Sequence, residues 1–326
     1  MNRGRYLMKN HLYIFSILLF FTLNACSGGP AEKPLPVSIT SPARLLDKGV
    51  SHYENNNYAE AIDQFEKALL QYRSIDNQTG IAKSCMNLAK TYMAINNNQT
   101  AAEYLARANT VIKQASLDEL NEHLHLLNSS LAINKGLFDH ALLELTPVLS
   151  SKNTITQLAA LKNRTRIAFL QDSSDRQQWL EKYKSLQQNN AENTSSHLAR
   201  ILRFEAELSD NRDNQAELLM RSLSISRSLA DRPAIAAALT QWAQLDIEAK
   251  MFEQAEDKLL RALFIRHQLT DVNNSLRILQ QLQRIYAETN NNKQQLTESW
   301  IKKISDHEMS DWQQLFSDFE TYPMMR

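Results

Sequence analysis

Residues Asn56 to Leu70 read NNYAEAIDQFEKALL, and a degraded copy of this phrase returns about every forty residues. Ala61, Ala101 and Ala141 hold the same place in three successive copies, and Ala216 and Ala255 mark two more. A fixed period of this size is the mark of a stacked repeat. Each unit is too small to bury its apolar face alone, so neighbours bury it for each other. The period therefore predicts a curved scaffold before any single residue is assigned a role.

The units read as helix pairs. With 6 Gly and 7 Pro in 326 residues, several of them before Pro42, the body has little turn punctuation, and strand-type alternation is absent. In the first copy, Leu45, Gly49, Tyr53, Tyr58, Ala61, Phe65 and Ala68 are spaced for two short antiparallel helices. Ala61, Phe65 and Ala68 keep one face of the second helix inward. Gly49 lets that helix approach the first, and Asn55, Asn56 and Asn57 form the polar turn between them.

These residues resemble the tetratricopeptide repeat, whose pattern runs large apolar, Leu-Gly, Tyr, then Ala, an aromatic, Ala. Lys48 replaces the usual Leu. The second copy carries Leu88, Ala89, Tyr92, Ala101, Leu105 and Ala108. The third carries Gly136, Phe138, Ala141 and Leu145, with Ser129 at the small first-helix position. A late copy carries Trp242, Ala243, Phe252, Ala255, Leu259 and Ala262. Between Thr154 and Leu186 another pair is expected, its second helix marked by Trp179, Leu180 and Tyr183. Leu198 to Leu229 forms a further copy with Phe204, Ala216 and Met220, and a last degraded one holds Leu282, Tyr286 and Leu296. The resemblance implies an all-α, right-handed superhelical solenoid of about six to seven antiparallel pairs over 43–326, with units longer than the usual 34 residues. Asp311 to Phe319 is expected to cap its C-terminal end.

The N-terminus is of another kind. Leu12 to Leu23 is an apolar run too short to cross a bilayer as a helix, preceded by Arg3, Arg5 and Lys9. This is the layout of a secretory signal peptide, with Met1 or Met8 as its start. Leu23-Asn24-Ala25-Cys26 resembles the bacterial lipobox. The resemblance implies removal of 1–25, lipidation of Cys26 and, with Ser27 next, placement in the outer membrane facing the periplasm. An ordinary signal with an incidental cysteine is the alternative. Residues 26–42, rich in Gly and Pro, are expected to be a flexible tether. The other cysteine, Cys85, falls on a predicted buried helix face, so no disulfide framework is expected.

Composition and motifs exclude several classes. Formal net charge is +0, and losing the three basic residues ahead of Cys26 leaves a slightly acidic chain with no global field for nucleic acid. No phosphate-binding glycine loop, nucleophile elbow, H-E-x-x-H or C-x-x-C occurs. His123 and His125 are two apart on a helix and point away from each other, so they cannot share a metal. No cofactor, metal or catalytic residue is expected.

What remains is surface. In the tetratricopeptide family the first helix of each pair lines the concave groove. Carried over residue by residue, that puts Leu46, Val50 and Tyr53 there from the first copy. The second copy adds Lys83, Met86, Asn87, Lys90 and Met93, and the third His123 and Leu126. For Leu46, Val50 and Met86 the alternative is packing between helices. Chaperone-binding members clamp a C-terminal carboxylate with Lys and Asn in this groove, and Leu46 and Val50 at two of those positions argue against such a clamp in the first copy. Gly49, Ala61, Phe65, Ala68, Ala101, Ala141, Ala216 and Ala255 are assigned to packing between helices. The expected function is a non-catalytic envelope scaffold that binds protein or peptide partners. A peptide or small-molecule sensor is the runner-up and a cell-wall enzyme a distant third.

Overall fold

The computed structural model describes residues 37–190, 195–305 and 312–319. Cys26 and all that is expected of the signal peptide lie outside them. From Ser38 onward the chain forms one compact unit. Among the described residues there are fifteen α-helices and no strand. Seven pairs follow in order: α1 (Val37–Glu54) and α2 (Tyr58–Ser74), α3 (Gln78–Ala94) and α4 (Asn98–Gln114), α5 (Asn121–Asn134) and α6 (Phe138–Leu145), α7 (Thr154–Leu170) and α8 (Arg176–Gln188). Then come α9 (Ser195–Leu208) and α10 (Arg212–Ser228), α11 (Arg232–Glu248) and α12 (Phe252–Gln268), α13 (Val272–Glu288) and α14 (Lys293–Ser305), and finally α15 (Trp312–Asp318). Consecutive helices pack on each other, and first helices of successive pairs, such as α3 with α5 and α5 with α7, also touch. This is a helical repeat.

The forty-residue period is two units of twenty. Eight of the helices are 17 residues long. A residue with positive φ follows at Asn56, Asp76, Asn96, Ser116 and Gly136, and again at Ala230, Lys250, Thr270 and Asn290. That residue turns the chain so that the N–H of the next one closes the helix by a six-to-one bond, as in Asn97 N–H to Tyr92 O at 2.9 Å and Asp271 N–H to Arg266 O at 2.9 Å. This next residue also caps the following helix. Asn77 accepts from the Gly80 N–H at 2.8 Å, Asn97 from Thr100 at 3.1 Å and Asp231 from Ala234 at 3.0 Å. Asn and Asp suit both duties, since they tolerate left-handed backbone and carry a short acceptor.

The crossings are built on small residues. Ala61, Ala68, Ala101, Ala108, Ala141, Ala255 and Ala262 are each fully buried, and Phe65 is 1% exposed. Gly49 is where α1 meets Phe65, because a Cβ there would stand 2.4 Å from the ring. Gly80 does the same for Tyr72 at 2.2 Å.

Two expectations need correction. Ala216 is only half-buried and does not sit at a crossing; the residue forty before Ala255 is Gln215, and α10 buries Leu219, Ser222, Leu223 and Ser226 instead. Ser222 fits by donating to the Ala199 carbonyl at 2.7 Å. The tether boundary also moves: helix runs from Val37 through a buried Pro42, ahead of the expected start at 43. Burial of the proline ring offsets the backbone bond that Pro cannot donate.

The twenty-residue beat lapses between Leu145 and Arg212, where α6 has 8 residues and α8 has 13. At the C-terminal end, Leu315, Phe316 and Phe319 close over the cluster that holds Tyr286 and Trp300.

Candidate functional site

The array bends until its start meets its sixth pair. Arg232 Nη2 donates to the Asn55 carbonyl at 3.1 Å, Asn56 Nδ2 to the Ala230 carbonyl at 3.5 Å, and Asn96 to the Asp271 carboxylate. Two of the contacts join turn to turn, and the third runs from the first residue of α11 to a turn, so the helix-to-helix turns also close the ring.

Inside lies a cavity of about 730 Å³. Its wall is assembled from one face of several inner helices. On α7, Ile155, Ala159, Lys162 and Arg166 recur at three- and four-residue steps. His123, Leu126, Leu127, Ser130 and Asn134 do so on α5, Lys90, Met93 and Ala94 come from α3, and Arg200 from α9. Tyr53, Tyr58, Arg266 and Asp271 complete it from the turn side. A second hollow of about 530 Å³ shares Arg266 and is lined by Arg277 and Arg284 with no carboxylate.

Five of the ten residues expected in the groove line this cavity: Tyr53, Lys90, Met93, His123 and Leu126. The others stand elsewhere. Met86 is 1% exposed, a core residue, and Leu46 and Val50 pack against the same core from α1. Lys83 faces solvent and Asn87 is half-buried, and neither reaches the cavity. Residue-by-residue transfer failed there because the cavity takes only the C-terminal part of α3, while its N-terminal part packs inward. Cys85 is fully buried, and burial pushes its thiol up.

The electrostatics are one-sided. Lys90, Lys162, Arg166, Arg200 and Arg266 face the cavity, against Asp271 as its one lining carboxylate. Asp271 is already bound to Arg266 Nη1 at 3.0 Å. Lys90, Lys162, Arg166 and Arg200 make no ion pair among the described residues. Lys90 instead lies over the Tyr53 ring at 4.3 Å, and Arg166 donates to Asn134 Oδ1 at 3.2 Å. Burial, reinforced by Arg200, Arg166 and Lys90, lowers the Lys162 ammonium to about 7. Arg166 falls to about 10 and Arg203, behind Arg200, to about 9, again from burial first and neighbouring cations second. The Nε atoms of Arg203 and Arg266 are buried with no hydrogen-bond partner. Lys90 and His123 are lowered as well, by burial first, and His123 further by Lys90. On the turn side, burial and then Asp231 push Tyr58 up to about 12.

Such a wall is equipped to bind. The cations can hold negative charge, and Met93, Leu126, Leu127 and Leu269 offer apolar surface beside them. Among the described residues no three His, Cys, Asp or Glu side chains are grouped to hold a metal. His125 hydrogen-bonds through Nδ1 to Glu144 at 2.7 Å, and unlike His123 it does not line the cavity. No protein-family model matches the chain, and no curated protein matches it.

Sequence reasoning missed Lys162, Arg166, Arg200 and Arg266. The available signal was the i, i+4 pair of like charges Lys162 and Arg166 on a helix face otherwise read as structural. Like charges so placed weaken a helix by a few tenths of a kcal/mol.

Proposed function

We propose that this protein is a tetratricopeptide-like, right-handed solenoid that holds a segment of an envelope partner on its inner face, anchored to the outer membrane by a lipid on Cys26. The observation that carries the reading is the convergence of inner helices from successive pairs on one cavity, enclosed where the Asn55 and Asn96 turns meet Arg232 and Asp271. The repeating alanine crossings and the two-residue turns support the family resemblance. The lipobox resemblance at Cys26 supports the anchor.

The ring contacts also favour a second reading. Turns so far apart in sequence that touch through three polar contacts can part and re-form, so a ligand that prefers the closed array would shift it and be sensed. Both readings share the cavity as the binding surface.

A photo-crosslinking residue placed at Ile155 tests that surface in cells. Ile155 lines the cavity and is 61% exposed, so the larger side chain fits. Leu143, 72% exposed and away from the cavity, is the control. Crosslinks at Ile155 and none at Leu143 are expected; equal capture at both positions, or at neither, rejects the reading. Separately, Cys26→Ala should abolish labelling by radioactive palmitate, and equal labelling of variant and parent removes the anchor.

A further inference from the structure

A folded chain rarely leaves four cations around one cavity with no ion-pair partner: the lining carboxylate Asp271 is bound to Arg266, and Glu54 acts on Lys90 without pairing to it. Partly desolvated charges are costly unless paired. Away from the inner wall and the neighbouring Arg203, the buried charges of this protein are paired. Asp246 is held by Lys258 at 2.7 Å and Arg212 at 3.2 Å, and Glu256 by Lys293 at 3.0 Å. The inner wall is the exception, and local violations of a rule kept elsewhere mark functional sites.

We infer that the wall formed by Lys90, Lys162, Arg166 and Arg200 is the binding site for a multivalent anion, several carboxylates or phosphates carried on one small frame. The inference rests on the inner cavity being the binding surface and names the chemistry of what it takes. Three features fit that class. Lys90 and Lys162 come from α3 and α7 yet line the same cavity, so one ligand can be gripped from both. A cavity of about 730 Å³ is in the range that accepts a drug-sized ligand or short peptide, and a single phosphate would leave most of it unused. The guanidinium groups of Arg166 and Arg200 can each take a carboxylate or phosphate bidentately.

The test uses the full chain and two probes, the peptide tetraglutamate and inorganic tripolyphosphate. Tetraglutamine and acetate at matched ionic strength are controls, with binding read by calorimetry and thermal shift. At least one probe should bind, and binding should weaken at least tenfold in Arg166→Gln/Arg200→Gln, while Arg200→Lys, which keeps the charge and loses the bidentate fork, weakens it less than Arg200→Gln does. Lys67→Gln, which removes an exposed cation paired to Asp63 at 2.7 Å, should leave binding unchanged. Tighter binding of tetraglutamate assigns the anion to an acidic peptide, and tighter binding of tripolyphosphate to a phosphorylated molecule. The unliganded double variant should melt no lower than the parent, because like-charge repulsion is removed. The inference falls if neither probe binds better than its controls, or if the double variant binds as the parent does. A crosslinked partner at Ile155 together with no anion binding would keep the binding scaffold and discard the anion site.

Discussion

Arg232 reaches from the start of α11 to the backbone carbonyl of Asn55, 177 residues earlier, and bonds it at 3.1 Å. With Asn56 to Ala230 and Asn96 to Asp271 it turns a one-dimensional stack into a closed figure. Stacked repeats ordinarily take their stability from nearest neighbours, so these contacts set shape more than stability. An exposed hydrogen bond nets only about 0.5–1.5 kcal/mol. Arg232→Ala, which removes an exposed bond, should therefore leave the melting temperature nearly unchanged while raising the radius of gyration measured by small-angle scattering. An unchanged radius would mean that helix packing alone fixes the curvature.

Gly49 and Gly80 are expected to reject the mildest substitution. In a helix, Gly→Ala is normally stabilising by roughly 0.5–1 kcal/mol. Here the new methyl would stand 2.4 Å from Phe65 and 2.2 Å from Tyr72. Gly49→Ala and Gly80→Ala should instead lose about 1–3 kcal/mol by overpacking, read by urea or thermal unfolding. Gly136→Ala has open space around it but a φ of +73°, so its expected loss of roughly 1–2 kcal/mol is backbone strain alone. A gain in stability at Gly49 and Gly80 would show that the rings move aside without cost.

The alanine register can be checked by where bulk is tolerated. Ala61 and Ala255 are fully buried, so Ala61→Leu and Ala255→Leu should each cost roughly 1–3 kcal/mol. Ala216 is half-buried beside Gln215, and Ala216→Leu should stay within about 0.5 kcal/mol. Equal losses at all three positions would restore Ala216 to the crossing.

These residues also show what could be read from the chain beforehand. A crossing demands a small residue, so Ala61, Ala101, Ala141 and Ala255 announce themselves; Gln215 breaks the rule, and Ala216 next to it misleads by one position. The twenty-residue beat was hidden because its left-handed residue is drawn from Asn, Asp, Ser, Gly, Ala, Lys and Thr, with only the backbone in common. The cavity was harder still. Apart from the pair at 162 and 166, its cations at 90, 200 and 266 lie too far apart for one window to catch, and a formal net charge of +0 conceals a local excess that exists only after the array curves.

The cation wall makes a prediction about pH. Lys162 is lowered to about 7 in the folded chain, by burial first and then by Arg200, Arg166 and Lys90, against about 10.4 when unfolded. Between those values the unfolded state holds more protons, so stability rises with pH across the window, and below pH 7 the full penalty is present. The slope from one group is at most about 1.4 kcal/mol per pH unit. His197, close enough to Lys162 and Arg200 to be affected by both, is lowered to about 4 by burial and then by those cations, and adds a rise between about 4 and 6.5. His123, also lowered, acts in the same direction. The one lining carboxylate, Asp271, is tied to Arg266; outside the lining, Asp231 acts on Tyr53, Tyr58, Arg203 and Arg266, and Glu54 on Lys90. Lys162→Met should therefore raise the melting temperature at pH 6 more than at pH 9, in low salt, and flatten the profile between pH 7 and 10. Saturating tripolyphosphate or tetraglutamate, whichever binds, should favour the charged ammonium, draw about one proton from buffer near pH 8 and reduce the slope. Calorimetry in two buffers of different ionisation enthalpy measures that proton. A melting profile that the substitution leaves parallel to the parent's would mean that Lys162 stays charged at neutral pH and is already neutralised within the wall.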